Sequence, residues 1–382
     1  MHIKHGIMNQ QVIIQQLSTG AMPYMQHVDN CIKWLQTYLT EANRVLVVRG
    51  GTSYAACGAE KIIEQLQSAS HAEYKFYSDF SANPKYEEAV VGAKLCEEFL
   101  PNAIIAIGGG SVMDMAKLIR HIAQKSNIPL ISIPTTAGTG AESTKFAVCY
   151  IDGVKQSIDR PEMLPNIAVL MPDLTMSGSK YLTATCAFDA FAQAVEAYWN
   201  RSATEESDAF AKEAIVMLFL GLTQFIESHG TCIEQRNWRE MMMGGANMAG
   251  QAINLTRTTA PHAMSYVLTS KYGYAHGHAV ALSFPYIAKL NMLCQRDQYT
   301  GINYTAYREK MIWLAKCLGL AGQQDIEITL RNFIKALGLG YRADSYVDTA
   351  LVAQSINLER AGNNPHKLTA EIITEAAESI LK

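Results

Sequence analysis

The sequence predicts a two-part protein: an α/β domain built on a parallel sheet, then an all-helical domain. Three observations predict it. Short apolar runs alternate with helical patterns from Val45 to Met171, the pattern of βα units on a parallel sheet covered on both faces. The run Ala103-Ile-Ile-Ala-Ile-Gly-Gly-Gly-Ser111 joins a buried strand directly to a helix. After about Pro172 long helical periods take over. The boundary falls near Met171–Ser179, giving domains 1–174 and 175–382, each of ordinary single-domain size.

Taken in order, Val45–Arg49 is an apolar strand ending in Gly50-Gly51-Thr52-Ser53, and a helix follows from about Ala56 to Gln65. Tyr74–Tyr77 is a second strand, and Asn83-Pro84 opens a helix near Lys85–Phe99. Ala103–Ile107 is the third strand. Ser111 starts the next helix, with Val112, Met115, Ala116 and Ile119 on one face. Pro129–Pro134 is a further strand, and Gly153 turns a hairpin between Val148–Ile151 and Lys155–Ile158. Ala168–Met171 is the last strand. Helical periods then cover Ala184–Asn200, Glu205–Glu227, Trp238–Ile253, Thr305–Leu318 and Ile326–Leu337. Pro261–Phe284, richer in Gly, Tyr and His, reads as broken helices.

Composition excludes several classes of function. A hydrophobic content of 49% against 18% charged describes a well-cored soluble protein. A net charge of −3 offers no electrostatic case for nucleic acid or an anionic membrane. No apolar run reads as long enough to span a bilayer, and the N-terminus lacks a signal-peptide pattern. Eight cysteines are scattered singly, without a CxxC pair. That argues against a disulfide scaffold or structural zinc and for a reducing cytoplasm.

Three constellations carry chemistry. Gly108, Gly109, Gly110 and Ser111, between a strand and a helix N-terminus, form an anion cradle of free N–H groups. Its expected guest is the diphosphate of a nucleotide cofactor, although the GxGxxG spacing is not met. The second constellation, Pro134-Thr-Thr-Ala-Gly-Thr-Gly-Ala-Glu142, follows a neighbouring strand. It offers hydroxyls and backbone N–H groups where ligands of such sheets bind. The third joins Asp189 and Gln193, four apart on one helix, to His262, His276 and His278. A carboxylate and two imidazoles can hold a divalent ion that polarises a carbonyl oxygen. A site in the cleft between the two domains is the default expectation.

Gly108–Lys117, Pro134–Glu142, the helix Asp189–Tyr198, and Pro261-His262 through Ala275-His276-Gly277 together resemble the iron-containing (group III) alcohol dehydrogenases, whose fold is shared with dehydroquinate synthase. The resemblance runs in order from about Val45 to the C-terminus. It implies hydride transfer between NAD(P)H and an aldehyde or alcohol, with Fe2+ or Zn2+ bound. It places Gly108, Gly109, Ser111 and Asp114 in the diphosphate loop, and Thr135, Thr136 and Thr139 along the ribose and nicotinamide. Asp189, His262 and His276 fall on three of the family's four metal positions.

The departures matter as much as the matches. Gln193 stands where the family has a fourth ligand, a His, and an amide oxygen is a poorer ligand for iron or zinc. Gln193 ligates weakly, or three protein ligands suffice, or the ion is lost and Tyr266 or His278 polarises the substrate. Tyr266 replaces a His found in many members; with His278 or water it is a candidate proton donor. Gly50 replaces the Asp of NAD-preferring members, so repulsion of a 2′-phosphate is removed and Arg49, Thr52 or Ser53 can contact one. NADP(H) is therefore favoured, with NAD(H) the alternative.

Arg257, Arg360 and Lys367, with Asn363 and Asn364, lie in strings resembling the phosphonoacetaldehyde reductase branch of that family. A dianionic phosphonate calls for such guanidinium and amide donors. The expected substrate is a small aldehyde, foremost phosphonoacetaldehyde. The alternatives are a general short-chain alcohol dehydrogenase and a dehydroquinate-synthase-like lyase. A homodimer is the default assembly.

Overall fold

The computed structural model describes residues 12–16, 24–28, 31–228, 232–322, 325–342 and 346–382. The chain divides into two compact units, 1–178 and 179–382, a division a few residues beyond position 174.

In the first unit the elements run β1 (Val12–Gln16), β2 (Tyr24–Val28), α1 (Cys31–Tyr38), β3 (Arg44–Arg49), α2 (Thr52–Ala56), α3 (Ala59–Ser68) and β4 (Glu73–Tyr77). There follow α4 (Tyr86–Phe99), β5 (Ala103–Gly108), α5 (Gly110–Ile122), β6 (Leu130–Pro134), β7 (Phe146–Ile151), β8 (Val154–Asp159) and β9 (Ile167–Leu170). Seven strands make one sheet in the order β2-β1-β9-β6-β5-β3-β4. Strands β4, β3, β5, β6 and β9 are parallel. The pleat sends alternate residues to opposite faces, so Val45, Val47, Ile105 and Ile107 join one apolar core while Leu46, Val48, Ile104 and Ala106 join the other.

The parallel sheet forms as read, with one addition before it: β1 runs antiparallel to both β2 and β9. Two readings of this unit need correction. The single helix expected from Ala56 is two, because Gly58 takes a left-handed φ of 86° and breaks it. The helix expected to start at Ser111 begins at Gly110, with Gly109 as its cap. The hairpin forms as read, β7 pairing with β8 through a two-residue turn at Asp152 and Gly153, both at positive φ.

Helix α5 is tied to that hairpin by the buried Lys117 and the half-buried Asp114 beside it. The Lys117 ammonium donates to Thr144 Oγ1 at 3.0 Å and to the Phe146 carbonyl at 2.9 Å, and stands 3.8 Å from Asp114. Burial pushes the Lys117 amine down to about 8 against the pull of Asp114 and Glu142. Between pH 8 and its ordinary value the native state holds fewer protons than the unfolded chain, so this group adds stability as pH rises there. Lys117→Met leaves the half-buried Asp114 carboxylate without its cation and the Thr144 and Phe146 acceptors without their donor, and should cost about 3 kcal/mol. Urea denaturation should show that loss at pH 7. It should also show the gap to wild type widening from pH 8 to 10.

The second unit is helical: α6 (Lys180–Trp199), α7 (Glu205–Glu227), α8 (Cys232–Thr256), α9 (Ala260–Ser270), α10 (His276–Leu293), α11 (Tyr304–Cys317) and α12 (Ile326–Ala336). Three short helices follow that the sequence pattern did not suggest: α13 (Thr349–Gln354), α14 (Leu358–Ala361) and α15 (Ala370–Ser379). Contrary to the expectation that no run could span a bilayer, α7 is long and apolar enough to do so, with a window of mean hydropathy 1.6. Its apolar character has a packing cause. Phe219 meets Phe191 of α6 and Phe333 of α12, and Phe225 meets Trp238 of α8.

Candidate metal centre and nucleotide cradle

Helix α6 is buried along almost its whole length, yet its interior carries Asp189, Gln193 and Glu196. Their spacing puts all three on one stripe of the helix. His262 projects from the first turn of α9, started by Pro261, and His276 is the first residue of α10. One ligand atom each from Asp189, His262 and His276 lies within 4.8 Å of the other two. Asp189 Oδ1 stands 3.3 Å from His262 Nε2 and 3.7 Å from His276 Nε2. Gln193 Nε2 donates to Asp189 Oδ2 at 3.3 Å.

Glu196, wholly buried, organises this cluster. Its Oε1 accepts from His262 Nδ1, and its Oε2 accepts from the backbone N–H and hydroxyl of Thr259. Trp199 Nε1 donates to the same Thr259 hydroxyl. With Nδ1 carrying the proton, His262 Nε2 keeps its lone pair for the cluster, the usual carboxylate–histidine arrangement behind a metal ligand. Burial pulls the His262 imidazole down, but the Glu196 and Asp189 carboxylates overcome it and hold it up at about 9, so a metal ion at Nε2 takes the place of a proton there. Ser265, one turn beyond Pro261, stands 3.4 Å from His276 Nδ1.

Two buried atoms give a test of fit. Among the described residues neither Gln193 Oε1 nor His262 Nε2 makes a well-aligned hydrogen bond, Nε2 standing 3.3 Å from Asp189 Oδ1, and a buried polar atom left so costs free energy unless something satisfies it. Both belong to the residues that surround Asp189. A divalent cation is the guest that satisfies an amide oxygen, two imidazoles and a carboxylate together, and mixed N/O donors suit iron or zinc. The residues present fit the ion.

The other sequence-predicted residues of this unit fall in three places. Tyr266, half-buried, is one turn after His262 on α9 and shares its face. Arg257 closes α8 in a left-handed conformation, φ 70°, where glycine or asparagine is usual. Asn200 Nδ2 clasps that turn through the Thr256 and Arg257 carbonyls. Burial, then the repulsion of Arg360, lowers Arg257 to about 10, while Glu359 and Tyr266 oppose the fall. Arg257, Arg360 and Tyr266 therefore share one electrostatic neighbourhood, and Arg257 remains a cation at neutral pH. The Asn363 amide ties this turn to the chain end by donating to the Thr258 carbonyl. Lys367 is exposed, its N–H donating to the Gln298 carbonyl.

His278 does not join the cluster. Two residues from His276 on α10, it points to another side of the helix. Both its ring nitrogens are engaged, Nδ1 with the Tyr181 hydroxyl and Nε2 with the Gly340 carbonyl, each at 3.0 Å. Burial lowers its imidazole further. Held between Tyr181 and Gly340, it is not placed to give a proton at the Asp189 cluster, contrary to the expectation from sequence. Glu196 is the functional residue that sequence reading missed. Its only signal was a carboxylate seven residues after Asp189 inside an apolar helix.

In the first unit, the turns after β5 and β6 are knit together. Thr135 N–H donates to the Gly108 carbonyl at 2.9 Å. A methyl on Gly108 would strike Val112 at 2.4 Å, and one on Gly110 would meet Thr139 Oγ1 at 2.8 Å. These two glycines are thus required by packing as much as by a ligand. At Gly109 the nearest atom would be Thr136 Oγ1 at 3.5 Å, so the Gly109 backbone lines the open part of the cradle. The Ser111 hydroxyl donates to the Ala82 carbonyl. Asp114 faces inward, accepting from Val148 N–H at 3.1 Å. It supports the cradle from behind and does not line it.

A dinucleotide cradle in one unit and a divalent-metal ligand set in the other are the parts of a metal-dependent, nucleotide-binding protein. Residues 24–172 match the family model for iron-containing alcohol dehydrogenase, and 183–379 match the model for the C-terminal region of that family. The chain belongs to the iron-containing alcohol dehydrogenase family, whose cofactors are NAD(H) and a divalent metal. It is 29% identical to a 1-propanol dehydrogenase of Salmonella typhimurium, covering 84% of this chain and 89% of that one. It is also 29% identical to a phosphonoacetaldehyde reductase of Streptomyces viridochromogenes, covering 70% and 73%. The solved iron-containing alcohol dehydrogenase of Thermotoga maritima superposes with a TM-score of 0.77 at 26% identity, covering 91% of this chain and 94% of that one. Of an aldehyde-alcohol dehydrogenase of Entamoeba histolytica, by contrast, the chain spans only 35% of the length.

Proposed function

We propose that this protein reduces a small aldehyde to its alcohol with NAD(P)H, and that phosphonoacetaldehyde, giving 2-hydroxyethylphosphonate, is its preferred substrate. The observation that carries the reading is the set of buried Asp189 and His262 with half-buried His276, and the Gln193 amide oxygen beside it. A divalent ion held there supplies Lewis acidity to a carbonyl oxygen as negative charge grows on it.

The chain's own residues do the rest. Glu196 fixes the His262 tautomer and the direction of its lone pair. Tyr266 follows His262 by one turn on the same face of α9, and we assign its hydroxyl the hydrogen bond to the substrate oxygen. Arg257, joined by Arg360, supplies guanidinium donors for the phosphonate, whose paired oxygens suit that fork. Support for a charged substrate is the choice of arginine at a left-handed position, a strained place to keep a cation unless the cation is used.

Arg257→Asn keeps a residue tolerant of left-handed backbone while removing the guanidinium. NADPH- and NADH-oxidation assays should show KM for phosphonoacetaldehyde rising by about 10- to 100-fold, the cost of losing a charge-assisted pair. Propionaldehyde kinetics should hardly move. Equal kinetics with both aldehydes, unmoved by the substitution, would favour a general short-chain alcohol dehydrogenase. The likeness to the 1-propanol dehydrogenase supports that second reading. A product formed with no net cofactor consumed would favour the lyase.

A further inference from the structure

We propose that His278 is a positioning residue for the metal centre: it clamps α6 and α10 to the segment after α12 and so holds His276 opposite Asp189. The proposal rests on the metal-centre reading of Asp189, His262 and His276 and adds the device that sets their spacing.

His276 opens α10 and shares its first turn with Gly277 and His278. The N–H groups of a first turn have no intrahelical partner, and a side-chain cap usually ties that turn down. Here the cap position is Ala275, which offers no side-chain acceptor. A ligand carried on such a turn needs another restraint.

His278, only 1% exposed, supplies it. The Gly340 carbonyl can only accept, so the Nε2 facing it at 3.0 Å carries the ring proton. Nδ1 then accepts from the Tyr181 hydroxyl at 3.0 Å. The same hydroxyl oxygen accepts from Arg342 Nη2 at 2.8 Å. Each link has one donor and one acceptor, and the chain of bonds closes on itself because Gly340 and Arg342 belong to one short segment. Ring contacts reinforce it. Arg342 Cζ lies 5.3 Å from the centre of the Tyr181 ring and 5.4 Å from that of Tyr274. Tyr274 meets the His278 ring edge-on at 4.9 Å.

Both sides of the clamp are anchored. Helix α12 ends in a Schellman turn: Gly338 takes a φ of 75°, its N–H donates to the Lys335 carbonyl at 2.9 Å, and the Leu339 N–H donates to the Ile334 carbonyl at 3.0 Å. Leu339 is wholly buried, so the Gly340 carbonyl next to it is delivered by a fixed turn. Tyr181 lies in the first turn of α6, about two turns before Asp189. The clamp therefore joins the two helices that carry Asp189 and His276. His278 touches neither ligand atom and acts through the spacing of those helices.

The test reads metal binding and not turnover. Protein stripped of metal is reloaded with Zn2+ or Co2+. Competition with a chromophoric chelator gives the Zn2+ affinity, and the visible bands of Co2+ report ligand geometry. His278→Leu should weaken Zn2+ by about 10- to 100-fold, the usual cost of losing a group that orients a metal ligand, and should shift the Co2+ bands. His278→Gln keeps one acceptor and one donor, and should stay within about threefold of wild type with its bands unmoved. Tyr181→Phe keeps the ring but not the hydroxyl, and should weaken Zn2+ about tenfold. Phe225→Ala, which removes a ring packed on Trp238, should lower stability and leave Zn2+ affinity unchanged. Wild-type affinity in Tyr181→Phe and in any folded His278→Leu would overturn the clamp alone. So would an equal loss in Phe225→Ala, since the effect would then be one of stability. A wild type that takes up neither ion would overturn the metal-centre reading, and this proposal with it.

Discussion

Replacing Asp189 with alanine should empty the metal centre and lower kcat/KM by at least about 10^3-fold, the scale of losing electrostatic stabilisation of a developing oxyanion. Asp189 is the one carboxylate in the ligand set, and it reaches toward both imidazoles through a single oxygen. Without it, Gln193, His262 and His276 offer only neutral donors, and a divalent cation loses the sole opposite charge in its immediate shell. Glu196→Gln is the graded companion. It leaves all the ligands in place but weakens the bond that orients His262, and should cost about 10- to 100-fold in metal affinity. Elemental analysis of protein purified without chelators reads the first effect, and competition with a chromophoric chelator reads the second. Full metal occupancy in the alanine variant would remove the centre from this position.

The legible and illegible parts of the chain separate by the range of the forces involved. The strands at Val45 and Ala103, the Gly108–Gly110 junction and the long helices are local patterns, and they stand within a few residues of where periodicity puts them. Asp189 and Gln193 were legible as one face because helical spacing is local too. Glu196 was not, since its part depends on Thr259 and His262 arriving from α9. His276 and His278 looked equivalent in sequence. Only a helix starting at His276 sends them to different neighbours. The end of α8 was set too early because Arg257, not glycine, takes the left-handed turn. The β1–β2 edge was missed because Val-Ile-Ile-Gln-Gln is short and its pairing partner, β9, lies far along the chain.

Gly277→Ala should be the most damaging single methyl in the helical unit. Gly277 lies between His276 and His278 where α10 crosses α6. An added methyl there would stand 2.1 Å from the Thr185 carbonyl oxygen and 2.8 Å from Asp189 Cβ. Neither neighbour can swing aside, one being helix backbone and the other the root of a ligand. The helices must therefore part by roughly 1 Å to restore van der Waals contact, and overpacking of this kind costs about 1–3 kcal/mol or more. The same shift carries His276 away from Asp189, and a ligand misplaced by about 1 Å can cost some hundredfold in activity. Melting temperature should fall by about 5–10 °C and bound metal should drop with it. Gly273→Ala supplies the contrast: that glycine sits at φ 70° with nothing within 4 Å of an added methyl. It should cost about 1 kcal/mol of backbone strain and leave metal content unchanged. Equal metal loss in both variants would mean that the turn before α10, and not the close approach of α10 to α6, sets the position of His276.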